Sequence, residues 1–139
     1  MPIRLLIVDD SEIVRRSLRN ILRSRPDWEV CGEAFDGSTA IEMFKSLNPD
    51  VVIMDFQMPG VNGVDAAAKI LRIDPVATIV LFTQHASPAL EQHALEVGIR
   101  AVLSKTDTID IVTKIAAFFA PKNSEPRIGT PGDVKPYSD

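Results

Sequence analysis

Five short β-rich apolar runs recur between Ile3 and Leu103, and their regular spacing restricts the fold more than any other feature. They begin at Ile3, Glu29, Val51, Thr78 and Ala101, so successive starts lie 26, 22, 27 and 23 residues apart. Each interval has room for one strand, one helix and two short loops, close to the ~30-residue length of a βαβ unit. Runs one, three and four are apolar almost throughout, as central parallel strands covered on both faces should be.

The intervening segments read as helices. Between Ser11 and Arg25, Val14, Leu18, Ile21 and Leu22 fall on one helical stripe, and Pro26-Asp27 stops it. Ser38–Leu47 ends at Asn48-Pro49-Asp50, and the Ala-rich Val64–Ile73 ends at Asp74-Pro75. Pro88–Val97 has proline at its start and Gly98 at its end. A last, strongly apolar helix is expected over Thr108–Phe119. Strict β/α alternation gives an α/β, doubly wound, five-stranded parallel sheet with helices on both faces. Five strands are too few for a closed eight-fold barrel.

Composition supports one domain and excludes several classes. The 139 residues are 45% hydrophobic and 24% charged, enough for a single core. We assign residues 1–120 to that domain. Residues 121–139 contain four prolines and few large apolar groups, and read as a flexible tail or linker. A net charge of −4 argues against nucleic-acid binding. The one cysteine, Cys31, precludes an intrachain disulfide and fits a reducing, cytoplasmic compartment. No apolar stretch approaches the ~20 residues of a membrane span, and Met1-Pro2-Ile3-Arg4 does not resemble a signal leader.

In doubly wound sheets the functional crevice lies beyond the carboxyl ends of the strands. Run one is followed by Asp9 and Asp10, run three ends at Asp55, run four at Thr83, and run five leads through Ser104 to Lys105. Singly, each has an ordinary reading, such as a turn or capping aspartate or a solvated lysine. Together they put three carboxylates, a hydroxyl and an ammonium at one sheet edge. Two carboxylates ~4 Å apart at an effective dielectric of ~20 repel by about 4 kcal/mol. A hard cation, Mg²⁺ or Mn²⁺, relieves that repulsion with all-oxygen ligands. Zinc lacks a ligand cluster, because Cys31, His85 and His93 are scattered. Such a site attracts a phosphoryl group, which Lys105 and Thr83 could hold while one carboxylate acts as nucleophile.

From Ile3 to about Phe119 the chain resembles the receiver domain of two-component response regulators, of the single-domain or helix-turn-helix-linked (LuxR-type) kind. The resemblance rests on Asp9-Asp10-Ser11, on Pro49 through Asp55, on Met58-Pro59-Gly60-Val61-Asn62-Gly63, on Thr83 and on Lys105. It implies a flavodoxin-like sheet of order 2-1-3-4-5. It further implies that Asp55 accepts a phosphoryl group from a sensor histidine kinase or histidine phosphotransfer domain. Asp10 would bind the metal directly and Asp9 through water, with Asp55 and the Gln57 backbone carbonyl completing the protein ligands. Lys105 would pair with the phosphoryl group and Thr83 would swing to hydrogen-bond it. The implied outcome is a signalling switch rather than an enzyme. Partner docking or homodimerisation would use the last two helices and the fifth strand, with no nucleic-acid or membrane contact by this chain. The family's usual aromatic switch position is Val102 here, and Thr106 follows the lysine where many relatives have proline. Gln57 and His85 stand where the family tunes phosphoryl lifetime, and Gln84 is expected to narrow access for hydrolytic water.

Rival readings lack their residues. A haloacid-dehalogenase-type phosphatase needs a second aspartate two positions after its nucleophile, where Ser11 and Gln57 stand. A flavodoxin-type cofactor binder needs a phosphate-cradling loop after the first strand, which Asp9-Asp10-Ser11-Glu12 would repel. A phosphorylation-independent interaction module would not require the full acidic, Thr and Lys set. The arginines at positions 15, 16, 19, 23 and 25 read as a solvated helix face or as a docking surface for an acidic partner.

Overall fold

Apolar strands and amphipathic helices alternate along the chain in a computed structural model that describes residues 2–119, with the side chains of 107–109 outside the description. The elements are β1 (Ile3–Val8), α1 (Glu12–Leu22), β2 (Trp28–Ala34), α2 (Gly37–Leu47), β3 (Val51–Asp55), α3 (Gly63–Ile73), β4 (Thr78–Thr83), α4 (Pro88–Val97), β5 (Ala101–Ser104) and α5 (Ile111–Ala117). The five strands form one parallel sheet of order β2-β1-β3-β4-β5, the doubly wound topology the alternation predicts.

The helix starts have local causes. Ser11, Asp36, Asn62 and Ser87 each accept an amide N–H three residues on, capping α1 to α4. Asn48, at φ 50°, and Gly98, at φ 114°, end α2 and α4 in the left-handed region. The starts of α1, α2 and α3 shift by one residue and α5 ends at Ala117 rather than Phe119, while two boundaries move by three. α1 stops at Leu22 rather than Arg25, because the Ser24 and Arg25 amides turn back to Ile21 and Leu22 carbonyls. The last helix begins at Ile111 rather than Thr108, after a 3-10 segment over Lys105–Asp110, and Asp110 makes no side-chain cap.

The chain divides into two compact units, one ending at Ile109 and the other starting at Asp110. The first contains the sheet and α1 to α4. The second includes α5, whose Ile111 and Ile115 are buried. The expected tail, 121–139, lies outside the described residues.

Strand alternation divides the first unit's core. Leu6, Val8, Val52, Met54, Ile79 and Leu81 pack in one cluster with Phe44 of α2, Ala66, Ala67 and Ile70 of α3, and Ala94 of α4. Leu5, Ile7, Ile53, Val80 and Phe82 point to the other face, and are also buried. Leu18 and Leu22 of α1 are buried outside that first cluster. Both faces of β1, β3 and β4 are therefore covered, which is why these runs are apolar throughout. β2 is an edge strand with a bulge: Leu5 pairs with Val30 and Leu6 with Gly32, so Cys31 is skipped.

Candidate phosphoryl-acceptor site

The parallel register brings the strand ends to one level. Val8 pairs with Met54, Asp55 with Phe82, and Thr83 with Ser104. The residues just past or at these ends, Asp9, Asp10, Asp55, Thr83 and Lys105, line one cavity of about 660 Å³ with Gln57 and Gln84. The expected acceptor, metal-ligand and phosphoryl-binding residues therefore share one pocket, whereas His85 does not line it.

One atom from each of Asp9, Asp10 and Asp55 falls within 4.8 Å of the others. Asp9 and Asp55 are buried and Asp10 is exposed. The Lys105 ammonium spans the buried pair, with Nζ 2.8 Å from Asp9 Oδ2 and 3.2 Å from Asp55 Oδ1. The first contact is an ion pair that lacks ideal hydrogen-bond alignment at the buried Asp9 Oδ2. Asp9 Oδ1 accepts the Ser11 amide at 2.9 Å.

Burial raises the Asp55 pKa, and repulsion from Asp9 adds to the rise; Lys105 and the Gln57 N–H pull it back without cancelling it. Burial would lower the Lys105 pKa, but the Asp9 and Asp55 carboxylates outweigh it and hold the ammonium above its ordinary value. The site thus holds an excess of negative charge that one lysine only partly offsets. An all-oxygen donor set of three convergent carboxylates, two of them buried, fits Mg²⁺ or Mn²⁺.

Thr83 is buried, and its Oγ1 accepts the His85 amide at 3.2 Å. This leaves the hydroxyl proton to donate elsewhere. Gly63 packs against the backbone at the end of β3. A Cβ there would lie 2.1 Å from the Asp55 carbonyl oxygen and 2.9 Å from Phe56 Cα. Only glycine permits this approach, and its amide donates to the Phe56 carbonyl at 2.8 Å. The start of α3 is thereby pinned against the backbone of Asp55, and the loop through Gln57, Met58 and Pro59 is held over the cavity.

Sequence reasoning read Arg15 as part of a solvated or docking face and missed Glu33 as its partner. The run of arginines on α1 is split: Arg16 and Arg23 are exposed, whereas Arg15 and Arg19 are half-buried. Arg15 donates to the Asp9 carbonyl oxygen at 2.7 Å and to Glu33 Oε1 at 3.2 Å, and the other Glu33 oxygen pairs with Arg19. The i, i+4 spacing of Arg15 and Arg19 was a usable signal. A second, smaller cavity of about 210 Å³ adjoins the site, sharing Val14, Gln84 and Lys105 and lined also by Ile13, Leu18 and Phe82.

Comparison with known proteins identifies the family and the fold. A family model for the response regulator receiver domain matches residues 5–116. A protein-glutamate methylesterase/protein-glutamine glutaminase from Pyrococcus abyssi is 43% identical over 112 residues, covering 81% of this chain. The chain spans only 28% of that relative's length. The crystal structure of a LuxR-family two-component response regulator from Aurantimonas sp. SI85-9A1 superposes with a TM-score of 0.82 at 34% identity, covering 85% of each chain. The CheX-CheY-BeF3-Mg+2 complex from Borrelia burgdorferi superposes with a TM-score of 0.81 at 25% identity, covering 87% of this chain and 92% of that one. The chain belongs to the response regulator receiver domain family.

Proposed function

We propose that this receiver domain is a metal-dependent phosphoryl acceptor, with Asp55 as the acceptor. The carrying observation is the charge geometry: Asp9, Asp10 and Asp55 converge within 4.8 Å while Lys105 touches Asp9 and Asp55. An Asp55 carboxylate oxygen attacks the phosphorus of a phosphohistidine. The P–N bond breaks, its electron pair returns to the imidazole, which takes up a proton, and an acyl phosphate forms on Asp55. Mg²⁺ or Mn²⁺, bound by Asp9, Asp10, Asp55 and the Gln57 carbonyl, would supply charge stabilisation to the transferring oxygens.

The residues divide the remaining work. Lys105 loses the Asp55 negative charge as a partner and pairs with a phosphoryl oxygen instead. Thr83 donates its hydroxyl proton to another. The added dianion then biases the neighbouring loops. The chain acts as a switch and catalyses no turnover beyond its own phosphorylation and dephosphorylation. The Borrelia neighbour is described with BeF3 and Mg²⁺, which supports the same chemistry here.

The phosphoryl source is a cytoplasmic sensor histidine kinase or histidine phosphotransfer domain. The apolar cavity beside the site, bordered by Ile13 at 80% exposure, supports docking of such a partner along α1. Phosphorylation would favour pairing of two copies, or partner docking, through α4 and β5. Residues 1–120 would be the working domain and 121–139 a linker or tail.

The test is incubation with acetyl phosphate and Mg²⁺ followed by intact-mass measurement. One phosphoryl adduct is expected on the wild type and none on Asp55→Asn or with excess chelator. An adduct on Asp55→Asn, or a metal-independent one, would refute the assignment.

A further inference from the structure

We infer that Arg15, held by Glu33, is a positioning residue that fixes the Asp9–Asp10 peptide for cation binding; the inference rests on the metal-dependent reading above. Asp9 is restrained on nearly every polar atom. Its amide donates to the Ala34 carbonyl at 3.0 Å, Oδ1 accepts the Ser11 amide, and Oδ2 faces Lys105. The remaining group, its carbonyl, belongs to the peptide plane that leads into Asp10. Arg15 donates to that carbonyl at 2.7 Å.

Asp10 has no such restraint of its own. It is exposed, and among the described residues its carboxylate has no hydrogen-bond or ion-pair partner. Its position therefore depends on the peptide before it, which is the one Arg15 holds. Arg15 is itself locked. Its Nε contacts Glu33 Oε1 at 3.2 Å, and Arg19 holds the second Glu33 oxygen. The side chains of Arg15, Glu33 and Arg19 are only 16%, 25% and 25% exposed, so water screens these charges weakly.

Charge alone predicts the opposite effect. A guanidinium this close to an acidic cluster repels a dication, and Glu33 offsets that repulsion. If Arg15 acted only as a charge, its removal would tighten Mg²⁺ binding. If it positions Asp10, its removal loosens binding. The two roles therefore differ in sign. Lysine keeps the charge but cannot reach both the Asp9 carbonyl and Glu33 with a planar fork.

The deciding experiment is calorimetric titration of the full chain with MgCl2, for wild type, Arg15→Lys, Arg15→Ala and Glu33→Gln. It is paired with amide hydrogen exchange at Asp10 and Ser11 in metal-free protein. Supporting groups of this kind typically affect metal affinity by 10–100-fold. Arg15→Ala and Arg15→Lys should weaken Mg²⁺ binding about 10-fold and speed exchange at both amides. Glu33→Gln, which keeps an acceptor for Nε, should lose less. At saturating Mg²⁺ the phosphorylation rate of Arg15→Lys should return toward wild type. Unchanged or tighter Mg²⁺ binding in Arg15→Lys overturns the inference, whatever the exchange rates. Should Arg15→Ala not fold, the Arg15→Lys and Glu33→Gln titrations decide alone. A wild type that binds no Mg²⁺ would be seen in its own titration, and would remove the metal reading and this inference together.

Discussion

Lys105 is what lets two buried carboxylates share one pocket, and it does so incompletely. The Asp55 pKa stays raised by burial and by Asp9 despite the ammonium 3.2 Å away. A raised carboxylate pKa means that folding favours the protonated form. That contribution is present below the ordinary value of 3.8 and is lost as pH rises through the raised value. At neutral pH the metal-free protein is therefore strained at this site. Asp55→Asn should stabilise metal-free protein at pH 7, and the gain should vanish in acid. Urea unfolding at pH 7 and pH 3 checks this; equal effects at both would count against it. The strand-end residues were legible because each follows an apolar run whose end a parallel register brings level with its neighbours. Glu33 was not legible. Its partnership with Arg15 depends on a bulge that skips Cys31 and pairs Glu33 with Ile7, and nothing in the alternation of β2 announces it.

At the scale of elements, the site depends on how tightly α3 meets β3. The Gly63 contact with the Asp55 backbone leaves no room for a methyl group, and the obstacle is main chain rather than a flexible side chain. Gly63→Ala should cost about 1–3 kcal/mol, the usual range for overpacking, and should slow phosphorylation by displacing Asp55. Thermal unfolding and the initial rate with acetyl phosphate test the two effects; a variant unchanged in both would mean that the loop relaxes freely. Helix existence was legible from periodicity, with starts read at Ser11, Ser38, Val64 and Pro88 that fall within one residue of those observed, while the caps Asp36, Asn62 and Ser87 emerged only in the structure. The late start of α5 was not, because the apolar pattern runs through Ile109 while the backbone over Lys105–Asp110 takes 3-10 geometry and Asp110 does not cap. The early end of α1 likewise reflects backbone turns at Ser24 and Arg25 rather than the prolyl stop at Pro26.

For the whole molecule, the sheet order follows from where a chain of this alternation can place its most apolar strands. β1, β3 and β4 are central and covered on both faces, while β2 and β5 form the edges. Among the described residues no helix is long and apolar enough to cross a membrane. A cation that binds only the folded state should stabilise it. Mg²⁺ at 100 times its dissociation constant should add about 2.7 kcal/mol, seen as a higher midpoint of thermal unfolding. Asp55→Asn should lose most of that increment, and an identical Mg²⁺ response in both proteins would contradict the proposed ligand set.

The bridge from Lys105 to Asp9 and Asp55 also bears on what happens when no divalent ion is at hand. The domain carries a tethered monovalent substitute, already seated between the groups that would otherwise push the strand tips apart. Stripping the metal should therefore leave an assembled pocket that refills without refolding, so readiness to receive a signal would track the ion concentration.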